Sequence, residues 1–233
     1  MHKKSKTVLS EFGALTEEFV DPYSAGELTI KKTFYIVVVK RLIDIIISAA
    51  ALIVTAPINI VIAIITLINP GIPIIFSHHR PGLAEKPIKI VKFRNMTNET
   101  DENGDLLPPE QRVTKVGRIL RKTSLDELLQ FGLIFIGKMS IIGPRPLLMS
   151  YLPKYTLDQH RRHSVKPGLE CPMPDYSGEI TWEQRIDNDL WYVDNISFKT
   201  DCIMFIRLIK LIFNRKRAAN RGEKIDKTFG ESD

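Results

Sequence analysis

Cysteine is scarce in this 233-residue chain: Cys171 and Cys202 form no C-x-x-C pair and cannot supply a tetrahedral metal site by themselves. They read as ordinary reduced thiols. Charge of one sign is in short supply too, since 33 Lys and Arg against 27 Asp and Glu leave a formal net charge of only +6. That excess suits anionic partners, whether phospholipid headgroups, phosphorylated substrates or nucleic acid, without choosing among them. Aromatic residues are 8% of the chain and form no platform interleaved with cations, which argues against a specific nucleic-acid-binding module. No internal repeat is present. The length has room for one sizeable domain, or a small domain with a membrane anchor.

Hydrophobicity, average overall at 44%, is concentrated in "LIDIIISAAALIVTAPINIVIAIITLI", residues 42–68. At about 1.5 Å per residue this run is long enough to cross ~30 Å of hydrocarbon as a helix, so a membrane protein is expected. It is no cleavable signal: some forty residues precede it, it exceeds a typical apolar signal core, and it lacks a clear A-x-A exit. Pro57 sits in its middle, where a missing N–H and a clash with the preceding turn predict a bend. Both flanks are basic, Lys40 and Arg41 before and Arg80, Lys86, Lys89 and Lys92 after. The positive-inside rule would hold both ends in the cytoplasm, which a helix bent at Pro57 and returning to its own side satisfies. A plain signal anchor with a tolerated proline is the other reading, and composition does not separate the two.

Four divisions follow: a variable polar tail at 1–33 with a short helix near 9–19, a membrane helix at 34–69, a membrane-associated domain at 70–217 and a polar tail at 218–233. "NPGIP" at 69–73 predicts a turn, "PIKIVKF" at 87–93 alternates like a strand, and 100–111 reads as a mobile polar loop. Helical patterns cover about 113–121 and 125–135. Residues 198–217 carry apolar residues on one side and end in basic ones, suiting a helix on a membrane surface or a core helix with a charged exterior. The fold class expected is mainly α with a small β element.

In "RKTSLDELLQ", residues 121–130, two acids follow two cations and two hydroxyls. Ser124 and Glu127 have the spacing of a capping box. A helix start also presents free N–H groups to an anion, and neighbouring carboxylates there point about 100° apart, so Asp126 and Glu127 can serve different tasks. One can attack phosphorus while the other holds a divalent cation, for which Mg2+ has the right preference for oxygen. In "IIGPRPL", 141–147, Arg145 is clamped between prolines and has the fork to bind phosphate through paired hydrogen bonds, although a solvated loop arginine has the same sequence.

Taken in order, "KRLIDIII", "RPG" at 80–82, "KFRNMT" at 92–97, "DENGDLLP", "LRKTSLDEL", "MSIIGPRPLL", "RRHSVKPG" and "DLWYVDN" resemble the bacterial sugar transferases, the monotopic phosphoglycosyl transferases that act on polyprenyl phosphate. The resemblance covers about residues 38–215. It implies a re-entrant helix broken at Pro57, membrane-surface amphipathic helices, and a location on the cytoplasmic face of the bacterial inner membrane. It implies Asp126 as nucleophile toward a UDP-sugar, Glu127 as a ligand of Mg2+, and polyprenyl phosphate as acceptor. Phosphate contacts would come from Arg145, Lys122, Arg80 and Arg94. Membrane lipid is a further partner, and a homodimer is compatible with it. Three stretches depart from the family pattern: "FSHHRPG" puts His78 and His79 where Gln and Glu are usual, "LIFIGKMS" puts Lys138 where an acid is usual, and "LECPMPDYSGE" replaces the customary sequence after "KPG". No metal is assigned to the histidine pair. A relative without turnover, acting as a membrane scaffold, is the alternative these departures leave open.

Overall fold

Lys40, Asp44 and Ser48 recur every four residues, which places them on one face of a helix. The structure, a computed structural model describing residues 28–173 and 181–213, buries that face against the rest of the chain. A π-helical turn over Tyr35–Val39 runs directly into α1, Lys40–Ile68. Lys40 Nζ meets the Asp201 carboxylate at 2.7 Å, Arg41 donates to the carbonyls of Ile134 and Phe135, and Asp44 accepts from the Ser140 hydroxyl and the Ile141 N–H. Paired polar groups, rather than apolar contacts, therefore anchor the helix entrance. At the far end Ile62 and Thr66 are buried again, and Ile62 clusters with Phe93 and Leu120. Between these docked ends Ile53, Val54, Ile58, Ile60 and Val61 are exposed. The most apolar window of Tyr35–Ile68 has a mean hydropathy of 2.6 and is only 11% buried, a surface that water would not tolerate and lipid would. Pro57 lies inside α1 with helix assigned on both sides, so the expected break does not interrupt the secondary structure.

Two short ladders carry the β structure. Strands β1, Ile75–Pro81, and β2, Pro87–Phe93, pair antiparallel, and β2 has the bounds its alternating sequence predicts. Strands β3, Ser140–Ile142, and β4, Gly168–Glu170, pair in parallel. The loop expected at 100–111 is partly built. Asp101 accepts from the N–H groups of Asn103 and Asp105, Thr100 bridges Leu106, and α2 occupies Pro109–Arg112.

The helix expected at 113–121 appears as α3, Lys115–Thr123, because Val113 pairs with Met96 and the Thr114 side chain caps the helix at Gly117. The pattern at 125–135 is divided into a 3-10 turn, Leu125–Glu127, and α4, Gln130–Phe135. A further 3-10 segment, Met149–Lys154, precedes α5, Leu157–His160, and the 3-10 turn Arg161–His163. Last come α6, Trp182–Asp194, and α7, Phe198–Phe213.

The main core joins Ile134, Met139, Ile141, Ile142, Tyr192 and Met204, where α4, β3, α6 and α7 meet. Helix α7 buries Met204 and Leu208 there and leaves Phe198, Ile203, Ile206 and Ile209 exposed, so it has apolar residues on both an inner and an outer side. The chain is thus mostly helical with a small β component and one long apolar helix. Lys31 reaches the Val193 carbonyl at 2.7 Å, so the end of the expected 1–33 tail is docked on the domain. The short helix near 9–19, the tail after 213 and most of the altered stretch at 169–179 lie outside the described residues.

Candidate active site

Ser124 closes α3 in the left-handed conformation, with φ 56° and ψ 20°. The capping box expected from Ser124 and Glu127 does not form, and the Ser124 side chain makes no cap bond. Its backbone ends α3 and leads into the 3-10 turn, where the Glu127 N–H donates to the Ser124 carbonyl. The reversal sends Asp126 inward, to 4% exposure, while Glu127 stays partly open to solvent. Asn95, itself buried just past β2, donates from Nδ2 to Asp126 Oδ2 at 2.9 Å. Gly117 lets α3 come this close: a Cβ there would lie 2.0 Å from the Asn95 carbonyl oxygen.

Glu127 accepts from Arg145 at 2.6 Å. Arg145 also donates to the Leu169 carbonyl at 2.8 Å and lies 4.0 Å from Glu170, which Arg185 approaches from α6 at 3.6 Å. Beneath it Arg162, 1% exposed, donates to the Arg145 carbonyl and to Asp189. The proline-flanked arginine is therefore fixed at its side chain by one acid of the pair and at its backbone by a buried ion pair.

The electrostatics oppose two carboxylates in one place. Burial, reinforced by the charge of Glu127, pushes the Asp126 carboxyl above the ordinary aspartate value, while Lys92 acts in the other direction. Lys92, largely buried on β2, is itself lowered, burial outweighing the attraction of Asp126. Arg80 on β1 is lowered by burial and by the nearby Arg145 charge. Burial and the cations Arg80 and Lys92 bring His78 down to about 4, so it is neutral at pH 7, and its buried Nδ1 has no hydrogen-bond partner. A buried carboxylate flanked by Lys92, Arg121 and Arg145, with Arg80 beside Arg145 and Lys92, can bind a polyanion and attack it.

Of the residues the sequence points to, Asp126, Glu127, Arg145 and Arg80 are brought together. Lys122 is exposed on the last turn of α3, and no hydrogen bond or ion pair joins it to the acids; Arg121 beside it is the cation whose charge Asp126 feels. Arg94 is buried and donates to the carbonyls of Met96 and Ile72, which ties β2 to the segment after α1. Sequence reasoning missed Asn95 and Lys92 as neighbours of Asp126. Both stand in "KFRNMT", but their facing Asp126 is a tertiary fact.

The sequence signature of the bacterial sugar transferase family matches residues 35–215. An uncharacterized sugar transferase of Bacillus subtilis, EpsL, is 45% identical over 165 residues, covering 70% of this chain and 82% of that protein. A UDP-glucose:undecaprenyl-phosphate glucose-1-phosphate transferase of Klebsiella pneumoniae is 41% identical over 192 residues, covering 76% of this chain but 41% of that protein. The exopolysaccharide production protein PSS of Rhizobium leguminosarum bv. phaseoli is 36% identical, with 90% of its length covered. With a match spanning most of its length and the acid pair and its cations assembled in one site, this chain belongs to the bacterial sugar transferase family.

Proposed function

We propose that the protein transfers a sugar-1-phosphate from a UDP-sugar to polyprenyl (undecaprenyl) phosphate, releasing UMP, as the initiating step of bacterial glycan assembly. The observation that carries this reading is the buried Asp126, oriented by Asn95 and set among Lys92, Arg121 and Arg145, with Arg80 next to Arg145. An Asp126 carboxylate oxygen attacks the β-phosphorus of the donor; the bond from that phosphorus to the bridging oxygen breaks, and UMP leaves with the oxygen. The phosphosugar is then held on Asp126 as an acyl phosphate. An oxygen of polyprenyl phosphate attacks the same phosphorus and frees the carboxylate, so no net proton is needed. Arg145, Arg80 and Lys92 hold the diphosphate oxygens and disperse the charge that builds on phosphorus.

The acid pair fits Mg2+. It offers hard carboxylate oxygens, and the repulsion by which Glu127 raises Asp126 is one that a divalent cation relieves. Glu127 is the residue to hold it. When bound, the ion would quench diphosphate charge during attack. An inactive scaffold has less support, because the contacts that orient Asp126 and Glu127 are intact.

The same reading places the chain on the cytoplasmic face of the bacterial inner membrane with α1 re-entrant. Support comes from the two ends of α1, both docked on one domain with the apolar middle around Pro57 exposed. A span would carry one end away from that domain. Single cysteines at Phe34 and Ile72, both highly exposed and on either side of the helix, test it in a background lacking Cys171 and Cys202. Neither position should react with a membrane-impermeant thiol reagent in intact cells whose outer surface is open to it. Labelling of one position only restores the spanning arrangement.

UMP release should require donor sugar nucleotide, polyprenyl phosphate and Mg2+ together for multiple turnovers. Release that continues at full rate without the lipid would refute the proposed acceptor. Gly117→Ala should lower that turnover by about 10²-fold, since the added methyl must displace Asn95 from Asp126. Gly132→Ala, which meets nothing within 4 Å, is the control expected to keep full activity. Equal activity in the two variants would remove Asn95 from the positioning of Asp126.

A further inference from the structure

Away from the acid pair, three chain segments bring Glu85, His160 and His163 into one buried cluster. Glu85 comes from the turn joining β1 to β2, His160 from the end of α5 and His163 from the following 3-10 turn. One ligand atom from each lies within 4.8 Å of the others. His160 Nδ1 and His163 Nδ1 share Glu85 Oε1 at 2.5 and 2.9 Å. Glu85 and His163 are 8% and 4% exposed, while the His160 side chain retains 15% and marks the way in. Tyr155 packs its ring against both imidazoles, with centroids 5.7 and 5.8 Å away, and so limits their rotation.

We propose that Glu85, His160 and His163 bind a divalent transition-metal ion, zinc foremost, as a His2Glu site separate from the acid pair. Two imidazoles and a carboxylate are a borderline-soft donor set, which zinc accepts and Mg2+ does not favour. Metal–ligand distances of about 2.0–2.1 Å in a tetrahedral arrangement separate ligand atoms by roughly 3.3 Å. The two nitrogen–oxygen separations, 2.5 and 2.9 Å, are shorter than that value, so the side chains part by up to about 0.8 Å to admit an ion. Arg162, next to His163 in sequence, is a cation nearby, but Asp189 neutralises it. Binding through Nδ1 moves each ring proton to Nε2 and exchanges the two Nδ1–H···Oε1 hydrogen bonds for coordination, and water can complete the shell on the His160 side.

The ion would staple the β1–β2 turn to the segment that carries Arg162, and Arg162 holds the Arg145 carbonyl. The site therefore bears on the rigidity of the phosphate-binding loop and takes no part in the chemistry.

The test uses the full chain without a histidine tag, in detergent, with Cys202 replaced by Ser. After stripping with a chelator and dialysis against limiting Zn2+, wild type should retain about one ion per chain, and His160→Ala should bind at least about tenfold more weakly. Loaded with Co2+, wild type should show a visible d–d band of tetrahedral intensity that His160→Ala lacks. Asp126→Asn should keep the full complement, which separates this site from the transferase reading. Equal retention by wild type and His160→Ala, or none by wild type, overturns the proposal and leaves a hydrogen-bonded cluster only.

Discussion

Replacing Asp126 with Asn is expected to abolish UMP release and, at neutral pH, to make the fold more stable. The first effect follows from the chemistry. An amide oxygen is a far weaker nucleophile, and loss of the group that bonds to substrate costs at least about three orders of magnitude in turnover. The second follows from linkage. Burial and Glu127 raise the Asp126 carboxyl above its ordinary value, so the folded chain favours the protonated form. The stability that form contributes is complete below the unfolded-state value and is lost as pH rises through the folded-state value. At neutral pH the native carboxylate is therefore a cost that the neutral amide removes, while the hydrogen bond from Asn95 to an oxygen at position 126 survives. Melting curves in metal-free buffer should show the variant ahead of wild type at pH 7, the difference shrinking toward about pH 4. Retained turnover would refute the nucleophile; a variant less stable than wild type at pH 7 would refute the electrostatic account. Enzyme trapped with donor alone should also carry a phosphosugar adduct on Asp126 by mass spectrometry.

The largest loss of stability is expected from Asp189→Ala. Asp189 and Arg162 meet at 2.5 Å with side chains 3% and 1% exposed. Removing the acid leaves a guanidinium in the interior with only the Tyr155 hydroxyl and the Arg145 carbonyl as acceptors. Breaking such a pair costs about 3–5 kcal/mol, whereas replacing both members by apolar residues of similar size is often far milder. Denaturation in detergent should therefore rank wild type and an Arg162→Met/Asp189→Leu double variant well above Asp189→Ala. A double variant as unstable as the single one would show that the loss comes from packing volume rather than from a stranded charge. Because Arg162 also holds the Arg145 carbonyl, both changes should weaken UMP release beyond what lost stability explains.

Much of the architecture was legible from local pattern. The apolar run at 42–68 and the strand at 87–93 announce themselves through length and alternation, and the observed elements at 40–68 and 87–93 agree. The capping-box reading at Ser124 failed for an instructive reason. The spacing of Ser and Glu matches the motif, but α3 arrives first, and Ser124, left-handed where it ends that helix, leads on into a 3-10 turn without a side-chain cap bond. Arg94 and Lys122 were expected as phosphate ligands from the family resemblance. One turned out to serve main-chain carbonyls, and the other points to solvent.

What residue order alone determined is the set of local facts: an apolar segment with a proline at its centre, basic flanks, a short strand, and an acid pair whose chemistry suits phosphorus. Those follow from composition, period and the reactivity of single side chains. Tertiary structure alone decided which partners the acids meet, Asn95 for Asp126 and Arg145 for Glu127, across separations of 31 and 18 residues. It also decided that both ends of the apolar helix rest on one domain, and that Glu85 lies against two histidines more than seventy residues away. Contacts of that range depend on the whole core closing around them, and no local signal carries that information.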